Sequence, residues 1–262
     1  MISGPLSAEL GLDAANLGLL TAVYFLVLAG AQIPIGVLLD RFGPRRVQSV
    51  LLVVAAGGAA LFAASTGLLE LLIARAMIGI GVAAALMAGL KAIVTWFPRE
   101  RVALINGYMI MLGALGAVTA TAPAEWLMGY SGWRGLFELS AAATLAAALL
   151  IFLAVPDKAQ LVLPQRTSLK LGAIYRDPRF WRIAPLSASC IGSAWSLQGL
   201  WAAPWLADVE GFNREALIAQ LFLMAIAVCL GALLLGTIAD RLRRRGIGTE
   251  TLFAAVVALF VI

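Results

Sequence analysis

Gly36-Val37-Leu38-Leu39-Asp40-Arg41 is followed 200 residues later by Gly236-Thr237-Ile238-Ala239-Asp240-Arg241. Each copy closes a long apolar run and opens a basic stretch, Arg45-Arg46 in the first and Arg243-Arg244-Arg245 in the second. The flanks repeat at the same offset, Gly11-Leu12-Asp13 against Gly211-Phe212-Asn213. So long a period lies outside the roughly 20–50 residues of solenoid arrays. It fits two homologous multi-helix halves set in a membrane.

The composition demands the same solvent. Hydrophobic residues form 62% of the chain, charged residues 13%, and the mean hydropathy is +0.97. Soluble domains run at about 45–50% apolar and about 25% charged, so this much apolar surface belongs in lipid. No histidine is present, which removes the commonest general base and metal ligand. Cys190 and Cys229 each lie in an apolar run and read as buried small residues, not as a disulfide framework or a metal site. The net charge of +5 is spread over short loops between apolar runs. That distribution is a topology signal and argues against nucleic acid as a partner.

A bilayer core of ~30 Å needs ~20 apolar residues as helix. Seven runs meet that need, near 16–39, 47–66, 70–95, 102–128, 135–155, 183–207 and 215–239, and a partial eighth begins near 250. Backbone polar groups must be paired in lipid, so the fold class expected is an all-α polytopic membrane protein. Fifteen of the nineteen basic residues fall in one set of loops: Arg41, Arg45, Arg46, Arg99, Arg101, Lys158, Arg166, Lys170, Arg176, Arg179, Arg182, Arg241 and Arg243 to Arg245. The opposite loops hold Arg134 and Arg214. The asymmetry places the first set in the cytoplasm and the chain in a multi-pass inner membrane. The polar stretch 156–182, basic and broken by Pro156, Pro164 and Pro178, reads as a cytoplasmic linker with room for a short surface helix. It divides a first bundle, 1–155, from the start of a second, 183–262.

Residues 1–16 have neither a basic nor an apolar signal-peptide region and would begin outside the cell. A missing upstream helix is the simpler expectation. The chain also stops within an apolar run, so an incomplete protein is expected.

The stretch Gly36 to Arg46, with Asp40, Arg41, Gly43, Arg45 and Arg46, resembles the signature loop between the second and third helices of the major facilitator superfamily. The weaker copy with Gly236, Asp240 and Arg241 would join the eighth and ninth. Arg75-Ala76-Met77-Ile78-Gly79-Ile80-Gly81 is similar to the family's fourth-helix motif, and Trp96-Phe97-Pro98 and Gly132-Trp133-Arg134 to its loop phrases. By that numbering helices two to eight and the start of nine are present, with helix one and helices ten to twelve missing. Pro44 stands where the family often has a basic residue, and Arg243 replaces the second glycine of the later copy. The fifth helix also lacks the Gly-Pro step of the family's antiporters.

The resemblance implies a secondary transporter of a small solute working by alternating access, with the signature loop as a cytoplasmic gating latch. A proton or ion is a candidate co-substrate. No cofactor is expected, and the protein should act as a monomer in the bilayer. An acid at the end of a helix, as Asp40 is, opposes the helix dipole by about 0.3–1 kcal/mol and requires a partner. Arg41, Arg45, Arg46 or a helix N-terminus could supply one. Arg75 and Lys91 are the only basic residues within a span, and charges there face protein or water. Both are candidates for the substrate or coupling pathway, with snorkelling as the alternative for Lys91. Gln32, Trp195 and Gln198 are further pathway candidates, with helix packing as the alternative; Trp195, Gln198 and Trp201 recur every three residues, on one broad helix face. Gly107, Gly113 and Gly116 are expected to allow close packing. Arg75 and Lys91 favour an anionic solute by electrostatics.

No Walker loop is present, so ATP does not act through this chain. A membrane enzyme would need a convergent catalytic set, and none is visible. A truncated, non-transporting remnant and a membrane sensor sharing the transporter fold remain as alternatives.

Overall fold

The computed structural model describes residues 2–156 and 171–244. The apolar run from 250, Lys158, Arg166, Lys170 and Arg245, and the side chains of Arg99, Asp240, Arg243 and Arg244 lie outside the described residues. Among the described residues the chain is helical with no strand: α1 (Ser3–Leu10), α2 (Ala14–Ala64), α3 (Leu68–Val82), α4 (Ala85–Trp96), α5 (Arg99–Thr119), α6 (Ala122–Ala154), α7 (Leu171–Arg176), α8 (Pro178–Ser196), a π-helical segment (Leu197–Trp201), α9 (Ala202–Asp208) and α10 (Arg214–Arg244). Each of the seven apolar runs is mainly helical. Among the described residues four helical stretches are long and apolar enough to cross a membrane: Ala14–Ala64, Leu68–Trp96, Ala122–Ala154 and Arg214–Ile238. In the most apolar windows of the first, third and fourth, only 11%, 6% and 6% of the residues are buried inside the protein. Apolar side chains so little buried by protein suit a lipid solvent.

At ~1.5 Å per residue the 51 residues of α2 exceed twice the bilayer core. The helix is therefore two spans, 14–42 and 44–64, joined at Gly43, whose φ of 80° only glycine adopts without strain. What the sequence presents as a loop from Asp40 to Arg46 is thus a single-residue turn with helix on both sides. Gly132, at φ 67°, divides α6 into two arms in the same way.

Three findings depart from the expected elements. The polar N-terminal segment forms α1, whose Leu6 is buried among Leu12, Leu20, Phe62 and Leu71. The fifth-helix run is interrupted at Ala120 and Thr121, ahead of Pro123 at the start of α6. Helix α8 starts within the expected linker at Pro178, with Asp177 as its N-cap.

The described residues form two compact units, one of 2–156 with 226–244, the other of 171–225. In the first, α2 packs against α3, α4 and α6. The α2–α3 contact depends on small residues. A Cβ at Gly81 would lie 2.5 Å from the Ala55 Cβ, one at Gly58 2.9 Å from the Ile78 nitrogen, and one at Gly79 2.8 Å from the Tyr24 carbonyl oxygen. The spaced glycines after Arg75 therefore let two membrane helices approach backbone to backbone. A Cβ at Gly107 would lie 4.0 Å from the Gly236 Cα of α10, an ordinary contact, and one at Gly113, Gly116 or Gly36 meets nothing within 4 Å. For Gly113 and Gly116 close packing is not found among the described residues.

Candidate functional site

Asp40 lies at the end of the first arm of α2, where carbonyls lose their helical partners. Its partner is none of the neighbouring arginines. Lys91 of α4 donates to Asp40 Oδ1 at 2.7 Å and to the Leu39 carbonyl at 2.7 Å. Lys91, placed by position among the pathway residues, is engaged here by the signature turn. The pair is unevenly solvated, with the Asp40 side chain 83% exposed and that of Lys91 29%.

Arg45, just past the turn, reaches a different helix. Its Nε and Nη2 donate to the Phe152 carbonyl at 2.9 and 2.6 Å, and its guanidinium lies 5.0 Å from the centre of the Phe152 ring. Phe152 is in the last turn of α6, so a cation meets the negative end of a helix dipole. Arg41 lies over the adjacent ring of Phe42 at 5.1 Å. Pro44, Arg45, Gln48, Gly89, Trp96 and Ile151 line a cavity of about 230 Å³ beside the turn. Gly43 supplies the turn itself, while Gly36 sits in the straight helix before it.

The second copy repeats the local geometry. Gly11 and Gly211 both have left-handed φ, 64° and 68°. Asp13 Oδ1 accepts from the Asn16 N–H at 2.7 Å, and Asn213 Oδ1 from the Ala216 N–H at 2.9 Å. These caps start α2 and α10, which run on to the two motif aspartates, Asp40 and Asp240. The copies then diverge. The first turns at Gly43; the second, with Arg243 in that place, stays helical through Arg241 to Arg244. An L side chain at φ near 80° is strained, so the turn is lost with the glycine.

Arg75 stands apart from this cluster. It is half-buried on α3, its guanidinium 4.9 Å from the centre of the Phe62 ring and within electrostatic reach of the Tyr24 phenol. Its Nε is buried without a hydrogen-bond partner, and among the described residues no acid pairs with it. Gln32 is half-buried on α2, and no hydrogen bond or ion pair joins it to Arg75 or Lys91. In the other unit, Trp195 and Gln198 are exposed. Gln198 and Trp201 lie in the π-helical segment, so the three-residue spacing from Trp195 to Trp201 does not define one α-helical face.

A network at the opposite end of the first unit was not anticipated. Arg134 donates to Glu9 Oε1 at 2.8 and 3.1 Å and to the Ala63 carbonyl, and the Trp133 indole donates to Glu9 Oε2 at 2.6 Å. Hydrogen bonds from Arg134 and Trp133 hold the Glu9 carboxyl below its usual range. Trp133 is buried, edge-on to Phe62 at 5.9 Å. The network ties α1 to the end of α2 and the turn of α6. An acid near the N-terminus and a lone Arg134, both on the expected outer side, were the available signal.

Membrane-length helices with lipid-facing surfaces and paired helix-end motifs define a multi-pass membrane protein. The chain belongs to the Major Facilitator Superfamily, whose family model matches residues 1–262. It is 26% identical over 254 residues to a probable sulfoacetate transporter of Cupriavidus necator, covering 90% of this chain and 59% of that protein. It is 27% identical over 253 residues to the hexuronate transporter of Escherichia coli K12, covering 88% and 58%. A nitrate/nitrite transporter of Picosynechococcus is 34% identical over 102 residues, covering 39% and 19%. The chain thus spans just under three-fifths of the length of the first two relatives.

Proposed function

We propose that the whole protein carries a small organic anion across the inner membrane by alternating access, with Arg75 as an anion contact. The observation that carries this reading is the Arg75 guanidinium itself. It is a cation within a membrane helix, its Nε buried and unpaired, with aromatic rather than acidic neighbours. Such a group is expensive in a bilayer unless it serves a solute or an ion pathway. The solutes named for the three relatives are anions, which supports the same class. Gln32, Trp195 and Gln198 complete the proposed pathway set.

In this reading the turn at Asp40 is the cytoplasmic latch. The basic loops face the cytoplasm, 1–155 and 183–262 belong to two rocking bundles, and 156–182 links them. Lys91 acts at the latch by neutralising Asp40. The test is uptake of labelled hexuronate and sulfoacetate by membranes bearing the native gene product. Arg75→Gln should lower uptake by about 10- to 100-fold, the worth of ~1.5–3 kcal/mol for a hydrogen bond to a charged group. Unchanged uptake at equal membrane content removes the anion assignment.

A further inference from the structure

The segment that leads into α8 carries a second surface that solute transport does not use. Helix α7 ends at Arg176, and Asp177 Oδ1 accepts from the Arg179 N–H at 2.8 Å, so α8 starts one residue later at Pro178. The elbow is held by three aromatic rings. Phe180 lies edge-on to Tyr175 at 5.4 Å and to Trp181 at 5.3 Å, and the Trp181 indole donates to the Tyr175 carbonyl at 2.8 Å. Tyr175 and Trp181 are nonetheless 49% and 58% exposed.

Arg176, Arg179 and Arg182 are interleaved with these rings. All three are exposed, and none makes a side-chain hydrogen bond or ion pair among the described residues. The run 183–207, carried by α8, the π-helical segment and α9, is not among the four membrane-length helices. With that run entering the bilayer, as its sequence predicts, the elbow lies at the depth where headgroups meet hydrocarbon. Exposed aromatic bodies suit that depth, and guanidinium groups match phosphate bidentately. We propose that the elbow at 175–182 is a docking surface for anionic phospholipid headgroups, with the three arginines on the phosphates and the rings at the interface. The inference rests on the run 183–207 entering the bilayer and stands whether or not the solute is an anion.

The test uses the full chain, purified in detergent and equilibrated with equal amounts of phosphatidylglycerol and phosphatidylcholine. Retained lipid is counted by native mass spectrometry. The wild type should retain phosphatidylglycerol in excess, and the excess should fall about fivefold for each arginine removed in the series R176Q, R179Q, R182Q. The triple lysine variant should keep the excess, as should Arg101→Gln at an exposed arginine elsewhere. An excess unchanged in the triple glutamine variant overturns the assignment, and so does an equal fall in Arg101→Gln. If the triple variant does not fold, the wild type at ~1 M salt decides, since the screening length there is ~3 Å. An excess that survives that salt rules out headgroup docking by charge.

Discussion

The Lys91 ammonium lies 2.7 Å from both the Asp40 carboxylate and the Leu39 carbonyl, so one cation serves a motif acid and an unpaired helix-end carbonyl. The acid would otherwise stand against the negative end of its own helix dipole. Lys91 thereby fastens α4 to the last turn of the first arm of α2.

Because the pair is largely solvated on the Asp40 side, its loss should change folding stability little. Lys91→Gln and Asp40→Asn should each shift stability by about 0–1 kcal/mol, the range of exposed ion pairs. Thermal melting of the purified protein measures this. Under the latch proposal both variants insert normally but lose uptake, and the exchange Asp40→Lys with Lys91→Asp recovers part of it. Normal uptake in Asp40→Asn would leave the turn as a topological device only.

The Glu9 network gives a pH dependence with a definite sign. Its carboxyl titrates lower when hydrogen-bonded to Arg134 and Trp133 than in the unfolded chain. The stabilisation is therefore complete above the unfolded value, near 4.5, and is lost as pH falls through the depressed folded value. Melting temperature against pH should decline over that acid range in the wild type, and the decline should be smaller in Glu9→Gln. Trp133→Ala should be far more damaging at every pH, by about 3–5 kcal/mol, because it empties a buried site against Phe62. An identical acid profile in Glu9→Gln would assign the decline to other carboxylates.

Glycine substitutions should separate into two groups. Gly81→Val forces side-chain atoms against the Ala55 backbone and should destabilise by about 1–3 kcal/mol or prevent insertion. Gly113→Ala and Gly36→Ala meet open space and should be neutral or stabilising by up to ~1 kcal/mol, since alanine favours helix. Melting or unfolding in mild detergent distinguishes them. A loss of uptake in Gly36→Ala without loss of stability would mean that Gly36 is approached closely in another conformation.

The helical class was legible because lipid imposes a simple rule: long apolar runs must be helices. The motif copies at 36 and 236 were legible too, as were the repeated flanks at 11–13 and 211–213; that Asp13 and Asn213 cap the two helices came from the structure. The partners of the charges were not. Lys91 is 51 residues from Asp40, and Phe152 is 107 residues from Arg45. Such pairings depend on how helices pack, which periodicity does not encode. The acceptor for Arg45 is a backbone carbonyl, a group every residue carries, so no side-chain pattern could mark it. Helix α1 escaped because its short sequence lacks the length of a span; Leu6 is buried in a cluster with Leu12, Leu20, Phe62, Leu71 and Trp133 that only the packing assembles.

Arg45 grips the carbonyl of Phe152, near the point where the chain leaves α6. The turn at Gly43 has helix on both sides. Tension on the chain beyond Val155 would therefore reach the signature turn through two hydrogen bonds, as a rope reaches a cleat. The end of α6 and the motif turn are thus joined directly, by a side chain gripping a backbone carbonyl.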